Sequence, residues 1–435
     1  MENSRLLPIL GAAASLGLLA ASLHLRRRHR LIADLPTTKA SGVFIGLVEL
    51  KGTAESEAPL VSHLGGRACV HFAWRVEERW SRTVTETYTD KDGNRQTRTR
   101  TESGWTQVAA GGQSQAFYLK DDTGAVLVRP EGARIEAEVD CDQTASRADP
   151  LYYSKGPAGA VPDSDHQRRF VETILPLHAA VFVVGHAQER PDVVAPEIAA
   201  SKDAEMFLIS TRSEEKVLRG YAAGSWVTWA LGLGAAAGAA WGWAQPDAPQ
   251  RATGMALAGA GAFGGLWLAG WTWMVFNSLV TLRQRVRQGW SLIEVQLQRR
   301  HDLIPRLATT VSALGAHERE VQTALAALRT QAEATPPGAV GPDPDGLTGT
   351  LRAVAEKYPA LIAQPQFAAL QTELVGTEQR IALARTYYND LVTHFATRLE
   401  RVPDGWVGRL GGMRAPPLLA GEAFERAPVV VSFAA

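Results

Sequence analysis

Three stretches of this chain contain no Asp, Glu, Lys or Arg: residues 6–25, 221–244 and 252–276, of 20, 24 and 25 residues. A hydrocarbon core of ~30 Å is crossed by about 20 helical residues at ~1.5 Å each, so all three are long enough to span it. Nothing else in the sequence limits the fold as strongly. The chain average conceals it, because mean hydropathy is only −0.10. Across 435 residues, 45 Lys and Arg balance 45 Asp and Glu. That balance excludes bulk electrostatic affinity for nucleic acid, and a 46% apolar content excludes disorder as the main state. Cys69 and Cys141 are the only cysteines, too few for a disulfide framework or a multi-cysteine zinc module.

Arg26, Arg27, Arg28, His29 and Arg30 follow the first stretch at once. A cleaved signal peptide carries its positive charge ahead of the apolar run, so an uncleaved transmembrane anchor is expected over 1–30. The other two stretches are separated only by residues 245–251, where Pro246 and Pro249 break the helix. Residues 216–276 therefore read as a transmembrane helical hairpin. Trp226, Trp229, Trp241, Trp243, Trp271 and Trp273 bracket it at headgroup depth. The pairs Gly234/Gly238 and Gly261/Gly265 are spaced for close helix approach. Basic residues at 26–30, at Arg212, Lys216 and Arg219, and at Arg283, Arg285 and Arg287 set the orientation. By the positive-inside rule the N-terminus lies outside and both large domains face the cytoplasm. Gly259-Ala260-Gly261-Ala262-Phe263-Gly264 satisfies a GxGxxG pattern, but inside a charge-free helix with no preceding strand it is not a dinucleotide site.

Between the anchors, over 34–215, the apolar period is two and a β-rich domain is expected. Apolar runs occupy 43–50 and 68–76, and Thr-rich runs at 79–88 and 95–106 flank Asp92-Gly93, a hairpin signal. A second hairpin is expected where 117–119 and 125–128 flank Asp121-Asp122-Thr123-Gly124, and 181–185 reads as a short buried strand. Glu49-Leu50-Lys51-Gly52-Thr53-Ala54, Pro59-Leu60-Val61-Ser62, Tyr118-Leu119-Lys120-Asp121-Asp122-Thr123-Gly124 and Arg169-Phe170-Val171-Glu172 together resemble the GIDE domain. That is the membrane-adjacent β domain of a mitochondrial E3 ubiquitin ligase family with bacterial relatives. In that family a RING module follows the last helix, and it needs about eight Cys/His zinc ligands. No cysteine follows Phe276 in this sequence, so ligase activity by that route is excluded.

From Leu279 the apolar positions Leu282, Val286, Trp290, Ile293, Leu297, Ile304, Leu307 and Val311 step by threes and fours, the seam of an amphipathic helix. No breaker separates this seam from the third apolar stretch. One helix leaving the bilayer is predicted, bent at Pro305 and Gly315. A loop over 335–346, a second helix over 347–358, and a third carrying Phe367, Leu370, Leu374, Ile381, Tyr388, Leu391, Phe395 and Leu399 complete an antiparallel bundle over 277–435. Asn277-Ser278-Leu279-Val280, Trp290-Ser291, Ile293-Glu294-Val295-Gln296-Leu297, Arg299-Arg300-His301-Asp302-Leu303-Ile304-Pro305, Lys357-Tyr358-Pro359 and Tyr388-Asn389-Asp390 resemble the LemA family. Gly289, Arg306 and His394-Phe395 depart from its usual residues. The resemblance implies a membrane-anchored helical bundle.

Chemistry is sparse by comparison. No Gly-Lys dipeptide occurs, so no GxxxxGK[ST] phosphate loop is present. His317-Glu318 lacks the second histidine of a zinc-protease motif, Val321 standing in its place, and Gly112-Gln113-Ser114-Gln115-Ala116 misses the nucleophile elbow. Cys69 and His71 share a strand face and read as core cysteine and neighbour rather than as ligands. Arg299, Asp302 and Arg306, at i, i+3 and i+7, are either a solvated ion-pair row or a protein-interaction face. Arg95, Arg98 and Arg100 are either a solvated strand face or contacts to anionic headgroups. No catalytic, cofactor-binding or metal-ligating residue is identified. The chain reads as an α+β membrane protein with an N-terminal anchor, a β domain, a membrane hairpin and a helical bundle. Its expected role is a non-catalytic scaffold of a bacterial inner membrane, contacting lipid and an unnamed protein partner but no nucleic acid. The alternatives are a membrane component resembling GIDE-type ubiquitin ligases, and a homo-oligomer formed through the helical seam.

Overall fold

A computed structural model describes residues 6–89, 95–190, 195–202, 205–244, 249–314 and 365–419. The chain is α+β and divides into two units, one Thr37–Val217 and the other Met1–Pro36 with Leu218–Ala435. Its helices are α1 (Leu6–Ala33), α2 (Pro150–Ser154), α3 (Glu214–Ala244), α4 (Ala252–Leu314), α5 (Pro365–Glu400) and α6 (Asp404–Leu410). Gly315, the loop over 335–346, the helix expected over 347–358 and His317-Glu318 lie outside the described residues.

In the first unit, alternating apolar residues build β1 (Thr37–Thr38), β2 (Gly46–Glu55), β6 (Phe117–Lys120), β7 (Ala125–Val128), β8 (Arg134–Glu136), β11 (Ala180–Glu189), β12 (Pro196–Ala199) and β13 (Leu208–Ser210). Strands β2, β6, β7, β12 and β11 pair in turn, and β11 returns to β2, which closes a small barrel. The period-two reading carries over directly. Val48, Leu50 and Ala54 point inward from β2, Phe117 and Leu119 from β6, and Val181, Val183 and Ala187 from β11. The β6–β7 hairpin turns where the sequence places it, with Lys120 opposite Ala125 and the Asp121 carboxylate accepting from the Thr123 and Gly124 N–H groups.

A second sheet holds β3 (Leu60–Val61), β4 (Ala68–Thr89), β5 (Arg95–Ser114), β9 (Glu138–Ser146) and β10 (Ser164–Pro176). The β4–β10 pairing stops at Trp80 opposite Ser164. Beyond it, 81–89 and 95–103 pair only with each other. At ~3.3 Å per residue this is a two-stranded arm about 30 Å long. The Asp92-Gly93 turn lies outside the described residues, but Thr89 opposite Arg95 gives the hairpin register.

Two buried carboxylates pin this sheet to its loops. Glu78 and Arg168 are both fully buried, at 0% and 1% side-chain exposure. Glu78 accepts from the Tyr152 hydroxyl (3.0 Å), the Ser164 hydroxyl (2.6 Å) and the Arg168 Nε and Nη2 (3.2 and 3.1 Å). The remaining guanidinium protons go to the carbonyls of Tyr152, Pro157 and Gly159. Glu172 gathers the backbone N–H groups of His63, Leu64 and Gly65 at 2.7–3.1 Å and so fixes the loop before β4.

Glu49, on β2, is buried with one oxygen unpartnered; the other accepts from the Thr37 hydroxyl at 2.7 Å. Burial pushes its carboxyl up to about 7, the Thr37 hydrogen bond opposing, the Glu214 charge adding and Lys51 opposing. Between the ordinary value of 4.5 and about 7 the folded unit keeps a proton that the unfolded chain has released. Stability therefore falls as pH climbs through that window, by about 3 kcal/mol in all. Glu49→Gln is expected to flatten this dependence and to leave the β unit more stable than wild type at pH 8. Amide exchange of β2 and β11 across the pH range measures it; an unchanged slope refutes the assignment.

In the second unit α1, α3 and α4 pack side by side. The Ser15 hydroxyl donates to the Gly232 carbonyl (3.1 Å), the Ser22 hydroxyl to the Ser225 carbonyl (2.9 Å), and the Trp267 indole N–H to Ser22 (3.3 Å). Two helices, α1 and the first part of α4, are long and apolar enough to cross a membrane. The third expected span is a helix as predicted, but its many Gly and Trp residues lower its hydropathy, and it does not meet the same measure.

The glycine expectation needs correcting. Gly234, Gly238, Gly261 and Gly265 have nothing within 4 Å of where a Cβ would sit. The close approaches fall instead at Gly232, whose Cβ would lie 2.7 Å from the Phe263 ring, and Gly259, 2.8 Å from the Ala236 carbonyl oxygen. The reason is angular: two residues along a helix is about 200° around it, so those pairs mark the opposite face. Gly232→Leu is expected to splay α3 from α4 and lower the melting temperature in detergent by several degrees, whereas Gly234→Leu leaves it unchanged.

Helix α4 is continuous over 63 residues and joins the third apolar stretch to the seam, as the lack of a breaker between them predicts; Pro305, where a bend is expected, lies within it. Its buried Leu282, Val286, Ile293 and Leu297 face Leu374, Ile381, Tyr388, Leu391 and Phe395 of α5. The packing is antiparallel: Arg299 meets Glu373, Trp290 stacks edge-on to Tyr388, and Leu279 lies by Gly408. At Gly289 a Cβ would lie 3.2 Å from Leu391, so glycine lets α5 sit close where an alanine would press on it.

Candidate functional site

Arg26 and Arg30 follow one another at i and i+4 on α1 just past its charge-free stretch, and Asp34 continues that face in the turn that ends the helix, its N–H still bonded to the Arg30 carbonyl. Helices α4, α5 and α6 bring Ser278, Arg398 and Asp404 to that face. Arg30 makes two parallel hydrogen bonds to the Asp404 carboxylate, at 2.8 and 3.0 Å. Arg398 reaches the same carboxylate through Nε (3.0 Å) and Nη2 (2.6 Å), and its Nη1 donates to Asp34 (2.5 Å) and to the Ser278 hydroxyl (2.7 Å). Ser278 in turn donates to Asp34 at 2.8 Å. Side-chain exposures of 9–15% make this a nearly buried network. Burial alone would raise the Asp404 carboxyl; the hydrogen bonds and charges of Arg30 and Arg398 outweigh it and hold the group below the ordinary carboxylate range.

The network forms one wall of a cleft of about 500 Å³. Arg26, Arg401, His29 and His394 also line it, with Ser225, Thr393, Thr397 and the Trp226 ring. Arg26 lies over two indoles, its guanidinium carbon 4.8 Å from the Trp226 centroid and 5.8 Å from that of Trp267. A cation on paired tryptophans gains about 0.5–2 kcal/mol while keeping its donors free. The cleft thus holds four arginines against two aspartates, and both aspartates are engaged by Arg30 and Arg398.

One unit of long apolar helices leading into an antiparallel bundle, and a separate β unit with a closed barrel, define an α+β protein of composite build. Two separate stretches match different families: residues 85–241 match GIDE, described as E3 ubiquitin ligase, and residues 289–433 match the LemA family. No curated protein matches the chain. The GIDE match begins within β4 and runs through most of α3, so it starts later and ends later than the resemblance read over the β domain.

The residues singled out in the sequence fall elsewhere. Arg299 pairs with Glu373 of α5 at 2.7 Å, so part of that row joins the two helices of the bundle. Asp302 is exposed and lies 3.8 Å from His301, and Arg306 is exposed. Arg95, Arg98 and Arg100 sit along the exposed arm, opposite Thr89, Glu86 and Val84; Arg100 pairs with Glu102, which also pairs with Arg82 at 2.8 Å. Neither trio lines the cleft described above. Cys69 is fully buried, and burial foremost pushes its thiol up to about 11, so it is protonated at neutral pH. His71 hydrogen-bonds Ser114 at 2.7 Å. Among the described residues no three His, Cys, Asp or Glu are placed to hold a metal ion.

Sequence reasoning used Arg26–Arg30 only for orientation and missed Asp34, Arg398 and Asp404. The partners lie more than 360 residues apart, and no local spacing connects them. The one available signal was an aspartate four residues past a basic cluster at a helix end.

Proposed function

We propose that this chain is a non-catalytic integral-membrane interaction protein, with α1, α3 and α4 as three crossings and the GIDE-type and LemA-type regions both in the cytoplasm of a bacterium. Large apolar side chains exposed along these helices, among them Leu7, Leu10, Leu231, Leu257 and Trp273, support the crossings, since a surface of that size is matched by lipid and not by water. The observation that carries the sidedness is the Arg30–Asp404–Arg398 network. It ties the charged end of α1 to the bundle, so the bundle belongs on the side where the basic cluster belongs. The mechanism is co-localisation: tethering raises the effective concentration of whatever the two regions bind. Domain limits follow as anchor 1–30, β domain 34–215, membrane hairpin 216–276 and bundle 277–435. Protease digestion of a tag at Ala435 tests this. Cleavage in inverted vesicles with protection in right-side-out cells is the expected result, and cleavage from the outer face refutes it.

A second reading, a component of protein-modifying machinery, has the description of the GIDE match behind it. A protonated, buried Cys69 is a poor acceptor for a transferred acyl group. Transfer of a ubiquitin-like modifier that is abolished by Cys69→Ala or Cys141→Ala would favour this reading over the scaffold.

A further inference from the structure

We infer that the cleft between α1, α3, α5 and α6 binds the phosphate of an anionic phospholipid headgroup, with Arg26 and Arg401 as the recognising cations. The inference rests on the reading of α1, α3 and α4 as membrane-spanning. Three observations carry it. Arg30 and Arg398 are spent on Asp34 and Asp404 and hold the cleft's shape, whereas Arg26 and Arg401 line the cleft and form no salt bridge among the described residues. Arg26 is the first charge after 20 uncharged residues and is stacked on Trp226 and Trp267, side chains that favour headgroup depth. The volume of about 500 Å³ suits a glycerophosphate group, and Thr393 and Thr397 add hydroxyls beside the cations. Guanidinium groups bind phosphate through charge-assisted, often paired hydrogen bonds, and basic pockets beside membrane helices suit acidic headgroups. A zwitterionic lipid would bring its own cation into a cleft that already has a surplus.

The full chain, purified in detergent and reconstituted in nanodiscs, provides the test. Native mass spectrometry after delipidation and titration with phosphatidylglycerol or phosphatidylcholine reads retention. Wild type is expected to retain phosphatidylglycerol at least tenfold better than phosphatidylcholine. Arg26→Gln with Arg401→Gln is expected to abolish the preference, with only the small fall in melting temperature in phosphatidylcholine that loss of the Arg26–indole stacking brings, and Arg26→Lys with Arg401→Lys to keep most of it. If the double glutamine variant melts early, the two single variants and the lysine pair are read instead, and the preference must fall with each charge lost. Equal retention of both lipids by wild type, or an undiminished preference without the two arginines, overturns the proposal. Inorganic phosphate is the second probe. Failure of excess phosphate to displace the lipid is expected, whereas displacement, with stabilisation of lipid-free protein by phosphate, assigns the cleft to a soluble phosphate and overturns the lipid source. Alkaline carbonate extraction separates the two layers: release from membranes sinks the spanning reading, while a retained protein with no lipid preference sinks only the headgroup site.

Discussion

Arg168→Met is expected to destabilise the β unit by roughly 3–5 kcal/mol, the largest effect of any single substitution outside the barrel interior. The side chain removed is fully buried and delivers all its donors, to Glu78 and to the carbonyls of Tyr152, Pro157 and Gly159. Its guanidinium also lies 4.0 Å over the Tyr152 ring. Without it the Glu78 carboxylate stays in the interior with only two hydroxyl donors, and three carbonyls lose their partner. Burial alone would raise the Glu78 carboxyl, yet hydrogen bonds from Ser164, Tyr152 and Arg168 and the Arg168 charge hold it below the ordinary 4.5. The pair's contribution is therefore complete above that value and disappears only as pH falls through the lower folded one. Denaturant unfolding followed through Trp74 and Trp80 measures the loss. Replacing both partners, Glu78→Leu with Arg168→Met, is expected to recover a large share of it. A single substitution that costs under about 1 kcal/mol would show the pair to be incidental.

The second large effect is at Arg398. Among the described residues, Arg398→Met deprives Asp34 of its one ion pair and leaves Asp404 to Arg30. A loss on the order of 2–4 kcal/mol in the docking of α5 and α6 on α1 is expected, since each aspartate is nearly buried. Amide exchange over α6 reads it directly. Protection there should fall in the variant while protection along the α4–α5 seam near Trp290 and Tyr388 is kept. Asp34→Asn in the Arg398→Met background should restore part of the protection, because the uncompensated charge is then gone. The same contact has a defined acid limit. Because the Asp404 carboxyl is held below its ordinary 3.8, α6 docking persists at full strength above that pH and weakens only below it. Loosening already at pH 5 would contradict the network.

How much of this was legible in the sequence depended on the range of the contacts. Strand pairs joined by short turns, such as Phe117–Lys120 with Ala125–Val128, were readable because period and turn residues are local. The continuity of α4 was readable because no Gly or Pro cluster interrupts the seam between Val275 and Leu303. The barrel closure was not, since the β2–β11 pairing joins residues some 130 apart, and neither strand announces its partner. The small-residue faces failed for a different reason. Spacing gives the repeat on a helix but not the direction it points, and α3 has glycines on both sides. The arginine–aspartate cleft was the least accessible, because each member looks like ordinary surface charge until four helices converge.

The uninterrupted α4 also has a mechanical meaning. Its 63 residues trace about 95 Å at 1.5 Å per residue, about 55 Å of it beyond Ser278. Pivoting at Ser278, which the clasp holds, a tilt of about five degrees would sweep Leu314 by about 5 Å. If α4 crosses a bilayer as proposed, changes in bilayer thickness or curvature would reach the distal part of the bundle as displacement, with the arginine clasp acting as fulcrum.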